Sequence, residues 1–143
     1  MLAICSNGAR YALHAVIFLA AVPAGQKVPV REIAEKAGIP RFVLAKIVLD
    51  LVRAGILRSH KGPRGGIQLA RVPAQISLGA VMEAVDGRTP LHMCALGVHD
   101  CPAPTVCALH AHWSKVRTEI GEFLSGTTIE DILKGRVDAH VTC

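Results

Sequence analysis

No stretch of this chain is long and apolar enough to cross a bilayer, which takes about twenty residues in a helix. The longest apolar run, Tyr11 to Val22, falls short of that. Arg10 before it and Ala-Val-Pro-Ala-Gly after it give a faint signal-peptide outline. A buried first helix explains the run better, since Ala9, Ala12, Leu13, Val16 and Ala20 share one helical face. No other segment looks able to target or anchor the chain, so a cytoplasmic protein without membrane contact is expected. Internal repeats and low-complexity tracts are lacking, and aromatic residues are scarce at 3%. The glycine loop at Lys61-Gly-Pro-Arg-Gly65 lacks the spacing and Lys-Ser/Thr ending of a phosphate-binding P-loop. Five cysteines, an odd number in no evident pairing pattern, argue against a disulfide framework.

What is there points elsewhere. The 143 residues fit one domain, or one small domain with an extension for assembly, and 51% are hydrophobic, enough for a core. The net charge of +5 is unevenly placed. Between Lys27 and Arg71 ten lysines and arginines face only Glu32, Glu35 and Asp50, a local net of +7. The remaining six bases and eight acids give −2. A basic segment joined to a mildly acidic one suggests a nucleic-acid reader attached to something else.

The periodicities support that division. A first helix runs from a Ser6 or Asn7 cap to about Val22, where Pro23 and Gly25 end it. Val30, Ile33, Ala34 and Ala37 share a face of a second helix that stops at Gly38. A third runs from Arg41 to Gly55, with Leu44, Ile47, Val48 and Leu51 as its buried stripe and Arg41, Ala45, Lys46 and Arg53 left outward. Two helices joined by a glycine corner describe a helix-turn-helix, which aims Arg41 and Lys46 at DNA phosphates or base edges. Two strands follow, Ile56–His60 and Gly66–Arg71, around a basic turn. That hairpin is a wing, whose tip lays Lys61 or Arg64 along the backbone or in a minor groove. Ser77 opens another helix, ending at Asp86-Gly87. From about Thr105 to Leu124 the chain is again helical, with an apolar stripe of Leu109, Trp113, Val116, Ile120, Phe123 and Leu124 suited to a twofold dimer. Thr127-Thr-Ile-Glu130 has the pattern of a capping box for a last helix, Ile129 to Leu133, before a loose tail.

The segment between these helices carries the chemistry. Cys94, Cys101 and Cys107 lie in a loop with Pro102 and Pro104, separated by six and five residues. Thiolates are soft ligands, suiting zinc or an iron–sulfur cluster. Zinc sites favour tight cysteine pairs, so these longer gaps lean toward the cluster. A helix beginning near Cys107 puts His110 on the same face, which makes it the candidate fourth ligand. A structural zinc and a thiol–disulfide switch are the competing readings. A cysteine enzyme with Cys107 and His110 as nucleophile and base lacks an orienting third group, and an electron carrier leaves the winged helix unexplained.

The order helix, helix-turn-helix, Gly55-Ile-Leu-Arg-Ser, Lys61-Gly-Pro-Arg-Gly-Gly-Ile-Gln-Leu-Ala, then three cysteines resembles the bacterial IscR, NsrR and RirA family. Gly8, Arg10, Tyr11 and Ala12 resemble its first helix, and the likeness spans about Ser6 to Leu133. The resemblance implies a mainly α fold with a small β-hairpin wing and a long dimerisation helix. Residues 1–87 would form the DNA-binding domain, 88–110 the cluster-binding loop, and 105–143 the dimerisation helix and tail. It implies a homodimeric transcription regulator, in the repressor mould, sensing redox, nitric oxide or iron status at a DNA operator. Cys94, Cys101 and Cys107 match the cluster thiolates, and His110 the histidine ligand of a 2Fe–2S cluster. Lys61 matches a wing residue at the minor groove; Ala45 and Lys46 match base-contacting positions. Two departures stand out. The first cysteine gap is six residues where many members have five, and Asn7, Gly8, Ala9 and Arg10 offer no carboxylate for a 4Fe–4S cluster. Cys5 is the residue placed to substitute. At Ala45 the side chain has no hydrogen bond to give a base.

Overall fold

The computed structural model describes residues 4–87, 94 and 107–135. Six helices and a two-stranded antiparallel hairpin make up the described chain. Helix α1 (Asn7–Ala21) begins where the Ser6 hydroxyl accepts from the Ala9 N–H at 3.1 Å, which satisfies one orphan donor of the first turn. It buries Ala9, Ala12, Ala15, Val16 and Leu19, so small residues let its neighbours approach closely. Helix α2 (Val30–Ala37) ends at Gly38, whose φ of 66° lies in the left-handed region open to glycine. The Ile39 N–H then closes back on the Ala34 carbonyl at 2.9 Å, turning the chain sharply into α3 (Arg41–Arg53).

Helix α3 buries Leu44, Ile47, Val48 and Leu51, the four residues of the expected stripe. Each such side chain contributes about 1.5–3 kcal/mol by leaving water. Strands β1 (Leu57–His60) and β2 (Gly66–Leu69) pair with Leu57 opposite Leu69 and His60 opposite Gly66. The strands are shorter than their sequence pattern at Ile56, Ala70 and Arg71, although the Ala70 N–H still reaches the Ile56 carbonyl at 2.9 Å. Val28 bonds β2 from the other side, exchanging N–H and carbonyl with Ile67 at 2.9 and 2.8 Å. That contact explains Gly66, since a Cβ there would sit 2.9 Å from the Val28 backbone. A Cβ on Gly65 would meet the His60 carbonyl at 2.1 Å, so this corner admits only glycine.

A 3-10 turn at Pro73–Gln75 leads into α4 (Leu78–Asp86), capped by Ser77 accepting from the Ala80 N–H. Helix α5 spans His110–Gly126. The expected start near Thr105 is therefore corrected: Cys107 is non-helical and residues 108–109 form a turn, while Thr105 itself lies outside the described residues. Helix α6 (Ile129–Leu133) is the expected last helix, but its capping box is shifted by one residue. Thr128 and Asp131 form it, because Thr127 is already spent: its N–H donates to the Phe123 carbonyl and its carbonyl accepts from the Leu78 N–H.

Ile129, fully buried, joins Ile33, Leu44, Leu51, Ile56, Ile76 and Val81 in one core. A second, smaller cluster of Ala9, Met82 and Leu124, with Ile120 against it, seats α5 on α1 and α4. Among the described residues no helix is long and apolar enough to cross a membrane.

Candidate nucleic-acid interface and metal-ligand residues

The back of α3 is fixed in the core, which fixes what its front presents. At about 100° per residue, Phe42, Ala45, Lys46, Leu49 and Arg53 fall within one arc opposite Leu44, Ile47, Val48 and Leu51. All five are exposed, and Arg41 stands exposed at the edge of that arc. Arg53 makes only a loose surface pair with Asp50 at 3.7 Å, which contributes little. At the wing, Lys61, Gly62, Pro63 and Arg64 are all exposed, with the Gly65 N–H closing on the Gly62 carbonyl at 2.9 Å. Cations and an apolar ridge thus share the front of α3, while the hairpin tip carries two more cations. Phe42 is 81% exposed and Leu49 56%. Sequence reasoning passed over both, because large apolar side chains look like core residues. The signal was available: both lie on the helix face opposite the buried stripe.

The cysteine region is described in part. Cys94 is buried, and Cys107 is half-buried just before α5. His110 is the first residue of α5, and its backbone N–H donates to the Cys107 carbonyl at 3.1 Å. The two residues therefore belong to one turn at the start of α5, not to successive turns of a helix face. Cys101 lies outside the described residues, as do His92, His99 and Asp100. Among the described residues, no three His, Cys, Asp or Glu side chains converge to hold a metal ion. Cys5 is a half-buried free thiol just before the cap of α1. Burial pushes its pKa up, the neighbouring Asp86 carboxylate pushes it further, and Arg10 partly offsets both. Asp86, the last residue of α4, accepts from the Ser6 N–H at 2.9 Å and from the Ser6 hydroxyl, so it clasps α4 to the start of α1.

The helix-turn-helix, the glycine-cornered basic hairpin and the exposed cationic face define a winged helix-turn-helix DNA-binding regulator. Residues 5–135 match the model of the Rrf2 family, described as iron-dependent transcriptional regulators, and the chain belongs to that family. It is 38% identical over 132 residues to a protein of Aquifex aeolicus (strain VF5) provisionally assigned as an HTH-type transcriptional regulator, covering 91% of each chain. It is 32% identical to the HTH-type transcriptional regulator IscR of Vibrio campbellii (strain ATCC BAA-1116), covering 87% of this chain and 74% of that one. Its fold is similar to CymR, the global cysteine regulator of B. subtilis, at 28% identity and a TM-score of 0.79. That match covers 94% of this chain and 98% of CymR. The protein is a transcriptional regulator and not an enzyme.

Proposed function

We propose that this chain is a cytoplasmic, homodimeric repressor whose affinity for a DNA operator depends on an iron–sulfur cluster. Residues 1–87 carry DNA recognition, 88–109 the ligand loop, and 110–143 the dimer helix, which opens with the ligand His110, and the tail. Arg41, Lys46, Lys61 and Arg64 contact phosphates or groove edges, and Ala45 lies against the bases. Cys94, Cys101 and Cys107 hold the group, with His110 as fourth ligand for 2Fe–2S and Cys5 the further candidate for 4Fe–4S.

The observation that carries this reading is the pairing of Cys107 and His110 at the start of α5. Soft thiolates and an imidazole are the chemistry that iron–sulfur clusters take, and the half-buried Cys107 and His110 meet in one turn. When bound, such a group supplies sensitivity to oxidants, nitric oxide and iron supply. The protein's own part is mechanical. Cys107 and His110 stand where α5 begins, and the Leu124 end of α5 packs on α1 and α4. Ligation that shifts the start of α5 alters the spacing of two recognition helices in a dimer, and regulation requires such a difference between states.

The likeness to CymR of Staphylococcus aureus, a structure of its oxidized form, supports a second reading, in which the same thiols act as a redox switch without metal. One preparation separates the readings. Anaerobically purified protein is assayed for iron, sulfide and zinc, and its visible spectrum recorded. Iron and sulfide with charge-transfer bands are expected, and Cys101→Ala should remove both while the far-ultraviolet circular dichroism stays unchanged. Metal-free protein whose DNA affinity follows dithiothreitol establishes the thiol switch; a colourless zinc protein makes the metal structural. For the DNA face, Arg64→Ala should lower the slope of log affinity against log salt by about one phosphate contact. An unchanged slope removes Arg64 from the interface.

A further inference from the structure

The front of α3 is not simply basic. Phe42 and Leu49 form an apolar ridge along its centre, with Ala45 flanking it, and Phe42 leaves four-fifths of its surface in water. The fold has no use for this ridge, because the opposite face of α3 supplies the core contacts. Exposed apolar surface of this kind marks a place where something binds. Its surroundings decide what. Arg41, Lys46 and Arg53 border it and Lys61 and Arg64 stand on the adjacent hairpin, all exposed. A second copy of this face would bring the same charges against them. A polyanion would not, and duplex DNA is the polyanion that displays apolar groups inside a groove a helix can enter: the 5-methyl groups of thymine.

We propose that Phe42, with Ala45 and Leu49 behind it, reads thymine methyl groups in the major groove, so that specificity here comes from apolar contact. The idea rests on α3 being the recognition helix of the regulator proposed above, and it adds the chemical feature being read. Phe42 lies in the first turn of α3, the end from which helix-turn-helix proteins reach base edges. From Phe42 to Leu49 the helix rises about 10 Å. A ridge of that length spans about three base-pair steps. Lys46 and Arg41 then fix register on the phosphates and carry no sequence information. Ala45, with no hydrogen bond to give, fits the same mode, since a small methyl side chain packs against a thymine methyl.

The test uses the full-length protein, in cluster-loaded and in metal-free reduced preparations, with a random-sequence DNA duplex pool as the probe. Sites recovered by selection should share thymines within a three-base-pair window of each half-site. Replacing those thymines by deoxyuridine removes only the methyl groups, and should weaken binding about fourfold for each methyl. Phe42→Ala, at an exposed position, should keep its melting temperature, bind the thymine duplex more weakly and lose the preference for thymine over deoxyuridine. Phe42→Leu should retain part of it. Equal affinity of the wild type for the two duplexes overturns the proposal, and so does an undiminished preference in Phe42→Ala. If selection succeeds with no methyl effect, only the mode of reading falls. If neither preparation retains any DNA, the regulator reading of α3 falls and takes this proposal with it.

Discussion

Helices α3 and α5 both carry apolar stripes, yet the fold treats them in opposite ways. The thirteen residues of α3 bury Leu44, Ile47, Val48 and Leu51, whereas the seventeen of α5 bury Leu124 alone. Val116 and Phe123 of α5, and Leu109 just before it, are left 44%, 52% and 48% exposed. A helix anchored by its whole back face holds its front face still, which is what a reader of a regular surface requires. A helix seated by one end leaves the rest of its stripe exposed. Under the function proposed above, recognition falls to the helix whose back the core holds and assembly to the helix it mostly leaves free.

The largest break in this contrast comes from the α3 anchor. Leu51→Ala should cost about 2–5 kcal/mol of folding stability, measured by urea unfolding, because the fully buried side chain leaves a cavity. A loss below about 1 kcal/mol would show that α3 is not fixed as described. Next comes the α5 stripe. Val116→Glu combined with Phe123→Glu should leave helix content intact and raise the dimer dissociation constant roughly a hundredfold, seen by sedimentation. A dimer unchanged by both charges would place assembly on another surface.

The smallest effect concerns Cys5, beside the clasp between the helix ends. Its raised pKa keeps the thiol protonated, so iodoacetamide should label it more slowly than an exposed thiol at pH 8 in metal-free protein. Asp86→Asn removes one of the two raising influences and should speed the labelling. The linkage follows in sign: a thiol pKa raised on folding favours the folded state below the thiol's ordinary value. That contribution is lost as pH climbs through the folded value. Labelling as fast as in unfolded protein would remove Asp86 and burial as influences on Cys5.

Most of the fold was legible because its signals are local. Ser6 and Ser77 cap the helices they precede, Gly38 makes its corner, and the buried stripe of α3 follows from spacing alone. What was not legible depended on distant partners. Thr127 and Thr128 each fit the capping pattern three residues before an acid. The choice fell to Thr128 because the Leu78 N–H, from a segment far away in the chain, takes the Thr127 carbonyl. Phe42 gave the opposite difficulty, a core-type residue on the wrong side of its helix. For the ligand set, sequence names the donor types, but their convergence is three-dimensional. The described residues bring only Cys107 and His110 into one turn, and Cys101 falls outside them.

One packing detail bears on how the protein is made. Ile129 is fully buried in the core that also holds Leu44 and Leu51 at the back of α3, and its N–H bonds the Ile76 carbonyl at 2.9 Å. During synthesis at about 5–20 residues per second, the ribosome needs roughly 3–10 s to travel from Ile76 to Ile129. Until then the helix-turn-helix lacks a wall of its own core. A nascent chain thus completes the core behind α3 only after the cysteine stretch and α5 have been translated, so a chain that stops before Ile129 should be less stable than one that includes it.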